Sequence, residues 1–419
     1  MKKRVLLVLL ALALVVSLVA FAACAKEEEV VTEEWEWPER LLVTAMSTRS
    51  PIYSAFVAWT TPWSADTGVT VRVIAESDSR LQQIWVKEGR FFTVAPHQAR
   101  SMMYGLKGQA RRDWGPWLSA IWMPAGGVYW GCVTLADSGI ETIYDIKPGM
   151  SAIVITLAEE PQQSIYAFLA WAQVDPEDIT FVPLGATAQQ ARFLQDGKGD
   201  FSLCYYTTPT WLEVEASPHG LRWLPLDAEK DPEGAARFLE VYPWTGWGVA
   251  TGGIPSSEGV AMALTISPYI TRFDTDPELV YRIVKWVDEN YDRIKEHPWC
   301  AAMTLENLLD VAVHNYEPIH DGSVRYLEEK GLWTEELEAR RQYNIELLTL
   351  WVDSYQTAIS MADERGIDVN VDNEEWQEFW DKYKKDHDLP MLVNFQGPGK
   401  EQPSYSDFYE NWEEVRPKW

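Results

Sequence analysis

Short apolar runs alternate with segments of helical periodicity along most of the chain up to residue 251. A first set of apolar runs, rich in β-branched residues, predicts strands at residues 41–46, 69–74, 91–95 and 129–135. A second set predicts strands at residues 151–156, 179–184, 201–206 and 221–226, and residues 247–251 predict a strand that returns to the first set. Strands that alternate with helices indicate βαβ units and parallel sheets. The pattern therefore predicts an α/β protein whose two strand sets form two lobes.

Helical periodicity is clearest after the second set of strands has begun. Pro161 opens a segment in which four apolar residues between Ile165 and Ala172 fall at i, i+3, i+4 and i+7, on one face of a helix. From Pro277 onward helices replace strands, and residues 334–363 carry a long periodic helix. Residues 374–419 are polar, aromatic and weakly patterned. We therefore predict a C-terminal helical extension over residues 333–419.

The first forty residues carry a different signal. Basic residues at positions 2–4 precede an unbroken apolar run over residues 5–23, and Cys24 follows at once. This pattern is typical of a lipoprotein-type signal peptide, with residues 1–23 removed and Cys24 lipidated. Ordinary cleavage with release of the protein is the alternative, and a membrane-spanning anchor is a third. Residues 24–40 are acidic and lack periodicity, which predicts a tether.

The amino-acid composition limits the expected binding partners and the possible disulfides. The chain has 36 basic against 63 acidic residues and a net charge of −27. An acidic surface repels phosphate backbones, so nucleic acid is excluded as an expected partner. Three cysteines remain after Cys24, so at most one disulfide can form within the body and the fold depends on its core. We interpret most of the 22 tryptophans as core residues rather than as a ligand platform.

Four motifs occur in order along the body of the chain. Residues 133–149 read VTLADSGIETIYDIKPG, residues 197–201 read GKGDF, residues 297–309 read HPWCAAMTLENLL, and residues 318–331 read PIHDGSVRYLEEKG. Together they resemble the TAXI family of TRAP-transporter solute receptors over roughly residues 41–332. The family's glycine-rich loop after the first strand and its G-S-G-T turn in the second lobe are absent here.

The resemblance implies a two-lobed, type II periplasmic-binding-protein-like fold and no enzymatic activity. Such a receptor captures a small polar organic solute, of the carboxylate or amino acid class, and delivers it to a TRAP-type ion-driven transporter. The expected location is extracytoplasmic, in the periplasm or at the cell surface, with a lipid anchor at Cys24. We place lobe 1 at residues 41–136 plus 245–332, and lobe 2 at residues 137–244.

Ligands in open α/β sheets bind beyond the carboxyl ends of the strands. Candidate ligand contacts therefore follow the predicted strands of both lobes, and several have helix N-capping as an alternative role. In the first lobe they are Ser47, Thr48, Arg49, Ser50, Tyr53, Glu76, Ser79, Pro96, His97 and Gln98. In the second lobe they are Thr156, Tyr205, Tyr206 and Thr207, of which the tyrosine rings are suited to covering a ligand.

Other chemistry has little support in the sequence. His314, Glu317 and His320 suggest a metal site, but Pro318 interrupts the helix that would place them on one face, so no metal and no cofactor is expected. The chain contains no G-x-S-x-G, no P-loop and no H-E-x-x-H motif. A secreted α/β enzyme of hydrolase type and a ligand-sensing module of the same fold remain as alternative functions.

Overall fold

The computed structural model describes residues 35–45, 48, 50–76, 78–95, 102–105, 109–156, 159–185 and 189–393. At residues 51, 79, 159, 160 and 266 only the backbone is described.

Strands and helices alternate through the first two thirds of the chain, as predicted. The strands are β1 (Arg40–Ala45), β2 (Thr70–Ala75), β3 (Thr93–Val94), β4 (Ser119–Leu135), β5 (Ser151–Ile155), β6 (Thr180–Leu184), β7 (Phe201–Tyr205), β8 (Leu221–Leu224), β9 (Gly246–Val249) and β10 (Ala261–Arg272). The helices are α1 (Pro51–Thr67), α2 (Ser79–Lys87), α3 (Glu159–Ala172), α4 (Gln190–Gln195), α5 (Trp211–Glu215), α6 (Pro232–Val241), α7 (Pro277–Glu289), α8 (Leu305–His314), α9 (Asp321–Glu329), α10 (Glu335–Arg365) and α11 (Glu374–Asp386).

The strands fall into two groups that share two long strands. In the first group β1 pairs in parallel with both β2 and β3. In the second group β5 pairs in parallel with both β6 and β7. The long strands β4 and β10 pair antiparallel with each other and run through both groups. The hydrogen bonds therefore form one continuous ten-stranded sheet, in which two parallel groups are joined through β4 and β10.

The pairing fixes which way each group points. Since β3 and β4 both run antiparallel to β10, β4 runs in the same direction as β1, β2 and β3. Since β4 is antiparallel to β7, the strands β5, β6 and β7 run in the opposite direction. The carboxyl ends of the two groups therefore point toward each other across the middle of β4.

The middle of the two long strands has the features of a hinge. Pro124 lies opposite Pro268, and the register shifts between Ile266 and Pro268 and again between Tyr269 and Ile270. Proline has no N–H to donate, so two facing prolines remove ladder hydrogen bonds at this point. Gly126 follows with a φ of +99°, a conformation that favours glycine. The sheet is thus least constrained between the two groups.

Aromatic side chains fill the core of each group, and most of the tryptophans that the structure describes are buried. Around the first group Trp122 stacks on Tyr269 with ring centroids 5.3 Å apart, and Trp59 contacts the Trp122 ring edge-on at 5.7 Å. Around the second group Trp130 and Trp171 both pack against Phe238 of α6. The interpretation of the tryptophans as core residues is therefore supported for most of them.

Two strands differ from the sequence-based prediction. Strand β4 begins at Ser119, ten residues before the predicted strand, and β10 was not predicted at all. Residues 374–386, expected to be weakly patterned, form helix α11, whose Trp376, Trp380 and Tyr383 are buried. The α/β class, the two strand sets and the helical C-terminal region are confirmed.

Within the described residues, no helix has the length and apolar content needed to span a bilayer.

Candidate functional site

The predicted ligand contacts that the structure describes lie at the two carboxyl edges that point toward each other. Thr48, Ser50 and Tyr53 follow β1 and Glu76 follows β2. Thr156 follows β5, Tyr205 ends β7, and Tyr206 and Thr207 follow it. The edge of β3 is level with Ile121 of β4, and Tyr205 is level with Trp130. Nine residue steps of β4 separate these levels, at most roughly 30 Å at about 3.3 Å per residue.

Part of the predicted site cannot be placed. Ser47, Arg49, Pro96, His97 and Gln98 lie outside the described residues, as does Cys24. Ser79 is the first residue of α2, but only its backbone is described. Their proposed roles stay predictions.

The first edge is organised by the N-terminus of α1. Ser50 is the N-cap residue, and its Oγ accepts a hydrogen bond from the backbone N–H of Tyr53 at 3.2 Å. Pro51 occupies the first helical turn, where a missing N–H costs nothing. The capping role weighed as the alternative for Ser50 is therefore present. Thr48 is exposed and Tyr53 is half-buried.

The turn after β2 carries a network of charged groups. Glu76 accepts a hydrogen bond from the Asp78 backbone N–H at 2.8 Å, and Asp78 caps α2 through the Arg80 N–H at 2.9 Å. The Arg80 guanidinium also binds the Asp78 carboxylate through two nitrogens, at 2.8 and 2.6 Å. Hydrogen bonding from Arg80 lowers the pKa of Asp78. The carboxylate that caps this helix is thus Asp78, which leaves Glu76 as the half-buried acid at the edge itself.

The second edge presents two tyrosines with different surroundings. Tyr206 is buried, and its ring packs edge-on against Tyr129 of β4 with centroids 5.3 Å apart. Its backbone N–H donates to Tyr129 O at 3.0 Å, and its carbonyl accepts from the Ile254 N–H at 2.8 Å. Burial raises the pKa of Tyr206, so its hydroxyl stays protonated. Tyr205, in contrast, leaves 37% of its surface exposed.

The two threonines of this edge, Thr156 and Thr207, have different surroundings. Thr156 donates from its backbone N–H and from its Oγ1 to the same carbonyl, Leu184 O, at 3.0 and 3.2 Å. Its hydroxyl therefore ties β5 to the end of β6. Thr207 is half-buried in the turn after β7.

A cluster that the sequence analysis did not assign to the site lies beside the hinge. His297 Nδ1 accepts the Trp299 backbone N–H at 3.2 Å, so in the neutral ring Nε2 carries the proton and donates to Ser54 Oγ at 2.9 Å. Desolvation lowers the pKa of His297, which favours that neutral ring. Gly126 of the hinge packs on Trp299, where an added Cβ would lie 3.5 Å from the Trp299 Cα. The one signal for this contact was the H-P-W motif of the resemblance.

A separate pocket of about 420 Å³ lies at the amino ends of β1 and β3, away from the predicted site. Its rim includes Arg40, Arg90 and Arg272. Arg272 is ion-paired with Asp274, and Arg90 lies 3.3 Å from Glu88. Much of the positive charge at this pocket is therefore already balanced within the chain.

The three residues considered for a metal have other partners. His314 contacts Asp310, the Glu317 carboxylate accepts from Ser119 Oγ at 3.1 Å, and His320 bonds to the Thr275 carbonyl. Over the described ranges, no three His, Cys, Asp or Glu side chains cluster in a way that would hold a metal ion. Cys132, Cys204 and Cys300 are buried and free.

Comparison with known proteins gives one family and a set of distant structures. A model described as the NMT1-like family matches residues 56–331. No curated protein has a significant match. The L-cystine solute receptor of Neisseria gonorrhoeae in its unliganded open conformation is 14% identical, with a TM-score of 0.34, over 63% of this chain and 94% of that one.

Two further solved structures give similar figures. Substrate binding domain 2 of Lactococcus lactis GlnP, in an open conformation, is 9% identical with a TM-score of 0.38, over 63% of this chain and 97% of that one. The probable amino-acid ABC transporter extracellular-binding protein of Bacillus subtilis is 10% identical with a TM-score of 0.38, over 63% and 98%.

The fold class rests on the arrangement of this chain's own strands. The two parallel groups are joined by the long antiparallel strands β4 and β10, and their carboxyl edges point toward each other. This arrangement is the predicted two-lobed, type II periplasmic-binding-protein-like fold.

Proposed function

Because this chain belongs to the NMT1-like family, we propose that it is an extracytoplasmic solute-binding receptor that captures a small polar organic solute between two lobes. Lobe 1 denotes the first strand group with its helices, and lobe 2 the second. The observation that supports the proposal is the opposed direction of the two parallel groups, whose carboxyl edges point toward each other. Ligand sites in open α/β sheets lie at such edges.

Binding proceeds by closure of the lobes about Pro124 and Pro268. In the closed state a solute is held by groups of the first edge, such as Thr48 and Glu76, and is covered by Tyr205 of the second edge. The N-terminus of α1 favours an anionic group of the solute, and Glu76 favours an ammonium group. A zwitterionic or carboxylate solute of the amino acid class satisfies both. Ser47, Arg49, Ser79, Pro96, His97 and Gln98 belong to the proposed contact set as well.

Delivery of the solute to a TRAP-type transporter is the finer part of the proposal. It is supported by the four motifs that resemble the TAXI receptors and occur in the family's order. The leader over residues 1–24 supports export and a lipid anchor at Cys24. The extension from residue 333 belongs to the same proposal, in which the boundaries between the lobes lie at Pro124 and Pro268 rather than at residues 136–137 and 244–245.

Titration calorimetry of the purified protein against a panel of amino acids and small carboxylates tests this function. We expect saturable binding of at least one compound, and roughly ten-fold or greater weakening in Tyr205→Ala, because an aromatic ring that covers a ligand is a major contributor to affinity. Leu212→Ala is the matched control, since Leu212 is 46% exposed on α5 of the same lobe. Equal affinities for the two variants, or no binding across the panel, would contradict the proposal.

A further inference from the structure

The C-terminal region of the chain is attached mainly to lobe 1. Near the start of α10, Arg341 donates to the Ile319 carbonyl at 2.7 Å and Asn344 donates to the Asn315 carbonyl at 2.9 Å. Ile319 forms a β-bridge with Ile121 of β4, on the lobe 1 side of the hinge. The Arg341 side chain is only 8% exposed, so this attachment is buried.

The same helices hold the connection that leads from β3 to β4. Tyr355 Oη donates to Arg111 O at 2.8 Å, Trp376 Nε1 donates to Ala110 O at 2.8 Å, and Trp380 Nε1 donates to Tyr104 O at 3.0 Å. This connection begins directly after the predicted ligand contacts at the end of β3. Helices α10 and α11 are therefore fixed to the β3–β4 connection of lobe 1.

After α11 the chain contacts lobe 2 at Leu392, a buried residue. The Leu392 N–H donates to Tyr104 Oη at 2.7 Å, and the Leu392 carbonyl accepts from Trp244 Nε1 at 3.0 Å. Leu392 is fully buried, and Tyr104 and Trp244 are 1% and 3% exposed. One peptide segment thus joins two buried aromatic side chains that come from different parts of the fold.

Trp244 lies on the lobe 2 side of the hinge. It connects α6 to β9, and β9 pairs with residues 261–264 of β10, before Pro268. Its ring packs edge-on against Tyr242, whose ring contacts Trp130 in the core of the second group. A rotation of lobe 2 about Pro124 and Pro268 therefore moves Trp244 relative to Tyr104.

We propose that residues 387–393 form an interlobe strap, which links lobe 1 to lobe 2 through Leu392 and limits how far the cleft opens. The inference rests on the two-lobed receptor proposed above and adds a control on its resting state. Opening the lobes must break either the Tyr104 or the Trp244 hydrogen bond of Leu392, both of which are shielded from water. Loss of one such bond changes the ratio of open to closed molecules by roughly five-fold.

Distance measurement between spin labels tests the strap without any solute. The labels are placed at Val57→Cys on α1 and Leu212→Cys on α5, which are exposed positions in lobes 1 and 2. Cys24 is replaced by serine, and the three other cysteines are buried and stay unlabelled. The Trp244→Phe and Tyr104→Phe variants each remove one of the two hydrogen bonds of Leu392, while Trp351 Nε1 still donates to the Pro390 carbonyl at 2.9 Å. We expect both variants to give longer and broader distance distributions.

The Trp376→Phe variant is the matched control. It also removes one buried indole N–H donor, but its partner Ala110 lies in the same lobe, so the distribution should overlay that of the parent protein. If Trp244→Phe fails to fold, Tyr104→Phe decides alone, since it removes only a hydroxyl. Distributions that match the parent in the strap variants would overturn the proposal. Because no solute is present, that result leaves the binding test of the receptor function independent.

Discussion

His320 gives the fold a dependence on pH that can be calculated from its surroundings. The ring is completely buried at the N-terminus of α9, where Nδ1 accepts the Gly322 N–H at 3.1 Å and Nε2 donates to the Thr275 carbonyl at 3.1 Å. Only the neutral ring can both accept and donate in this way. Burial lowers the pKa of His320 to about 4 from its ordinary value of 6.5, against the opposing effect of nearby Asp321.

The direction of the effect follows from proton binding in the two states. Between pH 6.5 and pH 4 the unfolded chain binds a proton at His320 and the folded chain does not, so acid favours unfolding. The stabilisation is complete above pH 6.5 and is lost as the pH falls, at about 1.4 kcal/mol per pH unit. From pH 6.5 to pH 5 the loss amounts to roughly 2 kcal/mol.

Urea unfolding at several pH values measures this loss. The His320→Asn variant is the comparison, because asparagine can cap the helix but does not titrate. We expect the free energy of unfolding of the parent to fall by roughly 2 kcal/mol more than that of the variant between pH 6.5 and pH 5. Carboxylates that titrate in both proteins cancel in this difference. Parallel pH profiles would refute the assignment of a neutral, buried His320.

Two further substitutions test how the C-terminal helices pack. Gly115→Ala places a Cβ 2.5 Å from the Tyr355 ring at a φ of +77°, and we expect a loss of about 2–4 kcal/mol in thermal or urea unfolding from overpacking and backbone strain. Gly68→Ala has the same φ of +77° with no atom within 4 Å, so it reports the strain alone, and equal losses would contradict the tight contact with Tyr355. The Arg112–Asp363 pair joins the same surfaces at 2.6 Å but is half exposed, so we expect Asp363→Asn to leave the unfolding midpoint nearly unchanged, and a large shift would contradict that view.

The local sequence pattern predicts much of the fold. Most of the strand residues that it does not predict belong to the hinge region of β4 and β10. The β-branched runs placed β1, β2 and β5–β7 within a residue or two. The first ten residues of β4 contain Pro124, Gly126 and Gly127, and β10 contains Pro268. Proline and glycine normally indicate turns, so the sequence pattern did not predict the first ten residues of β4 or any of β10.

Helix α11 lies within the predicted helical extension, but its own periodicity was not recognised for a different reason. Trp376, Trp380 and Tyr383 recur at i, i+4 and i+7, a helical spacing that the polar composition of the segment obscured. The contacts between distant parts of the chain at the site could not be predicted from local sequence patterns. Ser54 and His297 are 243 residues apart in sequence and meet only because α1 and the H-P-W segment both pack beside the hinge. The strand ends, by contrast, could be located because parallel strands of one group end at the same edge.

The central claim is that a solute lies between two opposed strand edges. A crystal structure of the protein purified with its bound solute is the most direct measurement. The account predicts density for the solute between the ends of β1–β3 and β5–β7, in contact with residues of both groups. Density in contact with only one group, or in the pocket at the amino ends of β1 and β3, would contradict it.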